Sequence, residues 1–247
     1  MFRRKRDKKQ TVLIAPFIIY CPDNDNFERG KHWKDEKEFN IVSIDPGRTN
    51  FAYRLESRGR NGVIKTVEMG NVDIRDNSKP GINTEFNNIN NLLDKFNIFY
   101  NKVHLIIVEH QIDLNPNTPR ILQHVISYFL SLLKGKEKRP LIFEIMPRVK
   151  GDQLGYDKKT AEKGLKAWAL AKARELLTHR NDEKGLRLLN KKGKKDDMAD
   201  TICQIEALCK LLQLPLTQAK AEVKAEEKKE EPKKKKFIII NKKEDGQ

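Results

Sequence analysis

Cysteine, tryptophan and histidine are scarce in this chain: 3, 2 and 5 residues among 247. Cys21, Cys203 and Cys209 are odd in number, widely scattered and form no Cys-x-x-Cys pair. They supply neither a disulfide framework nor a zinc site, which fits a reducing, intracellular compartment. His104, His110, His124 and His179 lack the two-histidine helical spacing of a metal motif. A Gly-x-Ser-x-Gly nucleophile elbow, a Cys–His arrangement and a glycine-rich phosphate loop are all missing, so serine, cysteine and nucleotide-loop chemistries find no support. No apolar run approaches the ~18 residues of a membrane-spanning helix. The apolar stretch 12–21 follows a basic start, as signal peptides do. It contains Pro16 and runs into Cys21-Pro22-Asp23 without a small-residue cleavage site, so secretion is not expected.

What the chain has is charge. Lys and Arg number 50 against 35 Asp and Glu, a formal net charge of +15, with 34% charged and 38% hydrophobic residues. Arg3, Arg4, Lys5, Arg6, Lys8 and Lys9 face only Asp7 in residues 1–10. Residues 219–247 carry ten Lys against six Glu and one Asp, ending in a small hydrophobic tip at Phe237–Ile240. The stretch between these ends is itself basic. Such a field attracts polyanions, nucleic acid ahead of anionic membrane. The length suits one ordinary domain with tails. The composition divides it into a basic extension over 1–38, a core domain over 39–214 and a Lys/Glu-rich low-complexity tail over 215–247, open as a docking peptide for an unknown partner.

Periodicity supplies the elements. The apolar run Asn40-Ile41-Val42-Ser43-Ile44 reads as a buried strand ending in Asp45, with Pro46-Gly47 turning the chain. Phe51–Glu56 and Gly62–Val72 read as a hairpin pair, and an edge strand is expected within 11–20. Apolar positions Phe86, Ile89, Leu92, Leu93, Phe96 and Phe99 give one helical stripe over 84–100. Further strands are expected at 104–108 and 140–146, and helices at 115–133, 157–179 and 196–212, with a polar lysine-rich loop over 180–195. Trp168 and the Phe stripe of 86–99 are core positions. Antiparallel strands followed by strand–helix alternation specify an α/β fold. Its mixed sheet has helices on both faces, and the Asp45, Glu109 and Ile145 strands are parallel.

Asp45 and Glu109 share a grammar, each directly following a short apolar run. Adjacent parallel strands would bring both carboxylates out at the same sheet end, where open α/β sheets place their sites. Asp197 and Asp200 stand three apart at a helix start and share one face. Each has a bland alternative. Asp45 alone is equally a turn-initiating side chain, Glu109 a surface residue at a strand end, and Asp196/Asp197/Asp200 a capping cluster. Converging together in a basic protein, they point to hard divalent cations, which take oxygen ligands. Two such ions about 4 Å apart can activate water and stabilise the leaving oxygen in phosphodiester cleavage.

Ile44-Asp45-Pro46-Gly47, Val108-Glu109-His110-Gln111 and Lys194-Lys195-Asp196-Asp197-Met198-Ala199-Asp200, in this order, resemble the RuvC-like Holliday junction resolvases, and most closely those of poxviruses and other large DNA viruses. The resemblance spans about residues 40–212. It implies an RNase H-like fold, a homodimer, and Mg²⁺- or Mn²⁺-dependent paired nicking of four-way DNA junctions with two ions per site. By position it makes Asp45, Glu109, Asp197 and Asp200 the metal-binding carboxylates, with Asp196 left as a helix cap. It places Lys150 near the scissile phosphate, with Arg148 as the competing position. Gln111 is expected to support Glu109, touch DNA or pack in the core. Arg48, Gln111, Arg148, Lys191, Lys192, Lys194 and Lys195 are the expected DNA contacts. His110 adjoins a ligand position, and Tyr156 and Phe51 either stack on a base or pack. The alternatives are a nuclease of this fold acting on another nucleic acid, and a non-catalytic basic DNA-binding protein.

Overall fold

Alternation along three short strands decides which side chains meet the site. The computed structural model describes residues 16–20, 37–59, 61–75, 81–111, 116–134, 140–158, 164–191 and 194–214. Its strands are β1 (Phe17–Tyr20), β2 (Glu38–Pro46), β3 (Phe51–Gly59), β4 (Ile64–Val72), β5 (Val103–Glu109) and β6 (Leu141–Ile145). They form one sheet in the order β1-β6-β5-β2-β3-β4. β6, β5 and β2 are parallel, β2, β3 and β4 form an antiparallel meander, and β1 closes the other edge antiparallel to β6.

Helices cover both faces. On one face Val42, Ile44, Ile106, Val108 and Ile142 pack with α1 (Ile82–Asp94) and α3 (Asn117–Leu132), whose Ile89, Leu93, Ile121, Val125 and Phe129 are buried. The alternate residues Ile41, Leu105, Ile107, Phe143 and Ile145 face α4 (Arg148–Leu154) and α7 (Asp196–Leu211). α5 (Gly164–His179) and α6 (Glu183–Leu189) extend that second layer over Ala52 and Met69. Small residues let α5 and α7 approach closely: Ala169, Ala173, Ala199 and Cys203 are all fully buried. Each large side chain that α7 buries, Ile202, Ile205 or Leu208, contributes about 1.5–3 kcal/mol of transfer free energy. α7 is therefore clamped between sheet and helix, a rigid carrier for its first turn.

Charges are buried beside this core, and they are paired. Arg54 lies opposite Ser43 in the β2–β3 register, so it points at the α7 face. Its guanidinium donates to Glu56 Oε2 at 2.9 and 2.8 Å and to Asp182 Oδ2 at 3.2 Å. Arg58 joins Glu56 Oε1 at 2.7 Å to Glu206 Oε2 at 2.9 Å, and Arg180 reaches Glu206 as well. Asp182 also caps α6, accepting from Gly185 N at 2.9 Å and Thr66 N at 3.0 Å. The network ties β3 and β4 to α5, α6 and α7.

The expected strands, the hairpin pair and the parallel set are present, with differences at the helices. The 84–100 stripe divides at Lys95-Phe96 into α1 and a single turn, α2 (Asn97–Tyr100). Of the expected helix at 157–179, 157 and 158 are not helical, 159–163 lie outside the described residues and α5 runs from Gly164; a short helix, α4, occupies 148–154 and is closed by Gly155 at φ +84°. The expected loop 180–195 contains α6, started by the Asp182 cap. Asp196 is inside α7, not its cap: Lys195 holds that position and Asp196 pairs with Lys166 at 2.9 Å. Cys203 and Cys209 are free and buried. The expectations for 1–10, 11–15, Cys21, Lys192 and 215–247 lie outside the described residues.

Burial by itself would raise the Glu56 carboxyl, but Arg58, Arg54 and Arg180 outweigh it and hold its pKa at about 2 against an ordinary 4.5. A depressed acid stabilises the fold above its unfolded pKa and loses that contribution as the pH falls toward its folded one. Glu56→Gln is expected to lower stability in urea unfolding by about 3 kcal/mol at pH 7. The gap from wild type should shrink between about pH 4.5 and 2. An equal gap at pH 7 and pH 3 would refute the assignment.

Candidate active site

β2 and β5 deliver the first two carboxylates. Ile44 pairs with Val108 in parallel register, so Asp45 and Glu109 leave the sheet at one end. Both share the parity of Ile41 and Ile107 and therefore face α7. The chain turns sharply after Asp45: Gly47 N donates to Asp45 O at 3.0 Å, and a Cβ at 47 would sit 2.7 Å from Asn50 O. Only glycine fits that turn. α7 brings Asp197 and Asp200 on its first turns, where the helix dipole favours negative charge. Asp45, Glu109 and Asp200 each present an oxygen within 4.8 Å of the others.

One ammonium sits inside this group. Lys150, on the first turn of α4 and 3% exposed, places Nζ 3.0 Å from Glu109 Oε2 and 2.8 Å from Asp200 Oδ2. Gln111 Nε2 donates to Asp45 Oδ1 at 3.1 Å, so this side chain supports Asp45 rather than the Glu109 carboxylate. Lys194 lies 2.8 Å from Asp197 Oδ2, holding the fourth carboxylate from the rim. Gln204, one turn beyond Asp200, donates from Nε2 to Glu109 Oε2 and accepts from Ser43 Oγ at 2.8 Å.

The electrostatics are those of crowded, desolvated acids. Burial raises the Asp45 carboxyl well above its ordinary value; Glu109, Asp200 and Asp197 add to the rise and Lys150 opposes it. Burial likewise pushes Asp200 up to about 6, with Lys150 pulling down against the repulsion of Glu109 and Asp197. For Lys150 burial disfavours the charge, but Glu109 and Asp200 outweigh it and its pKa rises. The four carboxylates thus exceed the buried positive charge between them. A donor set made only of oxygens, short of cationic charge, fits a hard divalent ion.

The remaining expected contacts fall around this centre unevenly. Arg48 commits its guanidinium to Glu85 of α1, with Nε 3.1 and 3.0 Å from the two carboxylate oxygens. Arg148 is exposed at the start of α4, and Lys191 is exposed after α6. Lys194 and Lys195 immediately precede α7, and Lys192 lies outside the described residues. Lys184, in the basic 182–195 segment, donates to Val67 O and so is held against β4. His110 turns Nδ1 to Glu144 Oε1 at 2.5 Å, beside Tyr20, on the opposite parity of the sheet. Tyr156 packs edge-on against Trp168, and Phe51 is fully buried in the core. Sequence reasoning missed Gln204 and Ser43. Their signal was spacing: Gln204 is four residues from Asp200 and Ser43 two before Asp45, so each shares a face with a ligand position.

No family model matches the chain. Uncharacterized protein 170L of Invertebrate iridescent virus 6 is 26% identical over 219 residues, covering 70% of this chain and 89% of that protein. Among solved structures, the yeast mitochondrial Holliday junction resolvase Ydc2 aligns with a TM-score of 0.52 at 17% identity, over 76% of this chain and 86% of Ydc2. Thermus thermophilus RuvC aligns with a TM-score of 0.51 at 13% identity, over 71% of this chain and 96% of RuvC. The fold is the RNase H-like fold of these structures.

A raised acid favours the fold only below its unfolded pKa, and that contribution is lost as the pH rises through the folded value. Metal-free Asp45→Asn is therefore expected to be more stable than wild type at pH 8 by on the order of 1 kcal/mol. The advantage should fade toward pH 4, near the ordinary 3.8 of an aspartate. Lys150→Met leaves Glu109 and Asp200 without their cation. It should cost about 3 kcal/mol, partly restored by millimolar Mg²⁺. Thermal melts at pH 4 and 8, with EDTA or Mg²⁺, measure both; a destabilised Asp45→Asn at pH 8 would contradict the charge-crowding account.

Proposed function

We propose that the chain is a divalent-metal-dependent endodeoxyribonuclease that resolves four-way (Holliday) junctions by paired symmetric nicks, in viral genome recombination or concatemer processing. The observation that carries this reading is the convergence of Asp45, Glu109 and Asp200 within 4.8 Å, on a fold shared with Holliday junction resolvases. The 26% identical protein of Invertebrate iridescent virus 6 supports the viral setting.

Asp45, Glu109, Asp197 and Asp200 would hold Mg²⁺ or Mn²⁺, two ions per site, which when bound supply an activated water and charge stabilisation at the leaving oxygen. The chain's own residues prepare that chemistry. Lys150 offsets part of the carboxylate charge, so that a phosphate anion is tolerated beside four acids, and it is placed to steady charge developing on the scissile phosphate. Gln111 fixes the Asp45 carboxylate. Arg148, Lys194 and Lys195 border the α4 and α7 starts as phosphate contacts, and Lys191 and Lys192, next to them in sequence, would add to these, with Gln111 and Arg48 nearer the Asp45 turn; Arg48 would meet DNA only by sharing its guanidinium with Glu85. The nuclease domain would be 39–214, joined at its sheet edge by β1, and the basic extension and tail would add non-specific attraction. A homodimer would set two such sites on opposed strands of a two-fold junction. A purely DNA-binding role gains nothing from buried carboxylates aimed at the phosphate face.

A labelled four-way junction and a matched linear duplex, incubated with the protein in Mg²⁺ or EDTA beside Asp197→Asn, test the proposal. Paired Mg²⁺-dependent nicks in the junction alone, reduced at least 100-fold in the variant, about 3 kcal/mol of barrier, are expected. Tight junction binding without cleavage in either metal would overturn the enzyme. Equal cleavage of the duplex would overturn junction selectivity.

A further inference from the structure

Gln204 is buried to 1% exposure, and Ser43 is fully buried. Neither belongs to the carboxylate set, and a buried primary amide in a helix packed against a sheet is costly unless every group is satisfied. Both ends of this amide are satisfied, in one direction only. Of the two ends of the amide only the nitrogen donates, and Gln204 turns Nε2 to Glu109 Oε2. Its Oε1 is left to accept the Ser43 hydroxyl at 2.8 Å. The chain Ser43–Gln204–Glu109 therefore runs from the middle of β2, through α7, to the end of β5, linking the three elements that carry the acids. Lys150 donates to the same Oε2 at 3.0 Å. Among the described residues no hydrogen bond reaches Oε1 of Glu109, so both partners hold the other oxygen.

We infer that Gln204 is a positioning residue of the metal centre: anchored by Ser43, it holds Oε2 of Glu109 and so turns Oε1 toward the cation. This inference rests on the metal-centre reading above. Outer-sphere partners of this kind orient ligands that would otherwise sample several rotamers, and losing one typically costs about 10–100-fold in metal affinity. Methionine at 204 keeps length and volume but neither donates nor accepts as the amide does. Alanine at 43 keeps the amide and removes only its anchor, so its effect must be smaller and of the same sign.

The test is a calorimetric titration of full-length wild type, Gln204→Met and Ser43→Ala with Mn²⁺ alone. Metal-free melting curves and junction cleavage across Mn²⁺ concentrations accompany it. Gln204→Met should bind Mn²⁺ about 10–100-fold more weakly while melting cooperatively, with cleavage approaching the wild-type rate at saturating Mn²⁺. A merely structural role would lower the melting temperature and leave the affinity of the folded fraction unmoved; that result, or Mn²⁺ affinity within twofold of wild type, overturns the inference. Should Gln204→Met fail to fold, an unchanged affinity in Ser43→Ala overturns it alone. Wild-type Mn²⁺ binding that depends on Gln204 without junction cleavage would remove the resolvase reading and leave this one standing. Wild-type cleavage with both variants binding normally would do the reverse.

Discussion

Repulsion among carboxylates that water cannot screen is the constraint the rest of the molecule answers to. Asp45, Glu109 and Asp200 are brought within 4.8 Å of one another, with Asp197 one turn away. Burial and mutual repulsion both raise Asp45 and Asp200. Only a stiff frame can enforce such a grouping. Here it is the parallel β2–β5 pair, whose register fixes two of the acids, and α7, whose ten other buried residues pin the remaining two. α4 exists to bring Lys150 into the gap, and Gln111, Gln204 and Lys194 each restrain one acid.

The same face of the sheet carries a second buried charge system with the opposite logic. Arg54, Arg58 and Arg180 meet Glu56, Asp182 and Glu206 with matching charge, and the arginines overcome burial to keep Glu56 ionised. That cluster balances its own charge without any ligand, and holds α5, α6 and α7 to the hairpin strands. α7 spans both systems, Glu206 in one and Asp197 and Asp200 in the other. A self-neutralising end thus anchors an end left short of positive charge. Stability spent at the charge-crowded end is the usual cost of a strained functional site.

Much of this frame was legible in the sequence because burial on both faces forces near-continuous apolar runs. The strands around Val42, Ile106 and Phe143 announced themselves in that way, and the acids stood out as the residues ending two of them. The Asp197/Asp200 spacing was readable for the same reason, since a helix puts such a pair on one face. What stayed hidden has equally physical causes. α6 is seven residues, Lys184 and Arg187 among them, too short for a 3.6-residue period to register, and its start depends on the Asp182 cap. α4 is seven residues closed by Gly155 in the left-handed conformation, too short to register as a period of its own. The Arg54–Glu56–Arg58 charge cluster could not be read, because pairing across 128 residues to Asp182 leaves no local pattern. Gln204 and Ser43 look like ordinary polar residues until the fold stacks them beneath Glu109.

The fold-level likeness to Ydc2 and RuvC agrees with the residue-level resemblance, though each rests on different information. One compares the path of the backbone; the other compares three short motifs in order. Neither addresses whether the acid cluster takes up a cation, which is the central claim. The most direct measurement is the number of protons released when Mg²⁺ or Mn²⁺ binds, from calorimetry at pH 6 in buffers of different ionisation enthalpy. A site whose Asp200 titrates at about 6 and whose Asp45 is raised as well must shed protons on binding. Measurable release near pH 6, diminishing toward pH 8 and reduced in Asp200→Asn, is the expected result. Absence of metal binding, or binding with no proton release that Asp200→Asn leaves unchanged, would contradict the account.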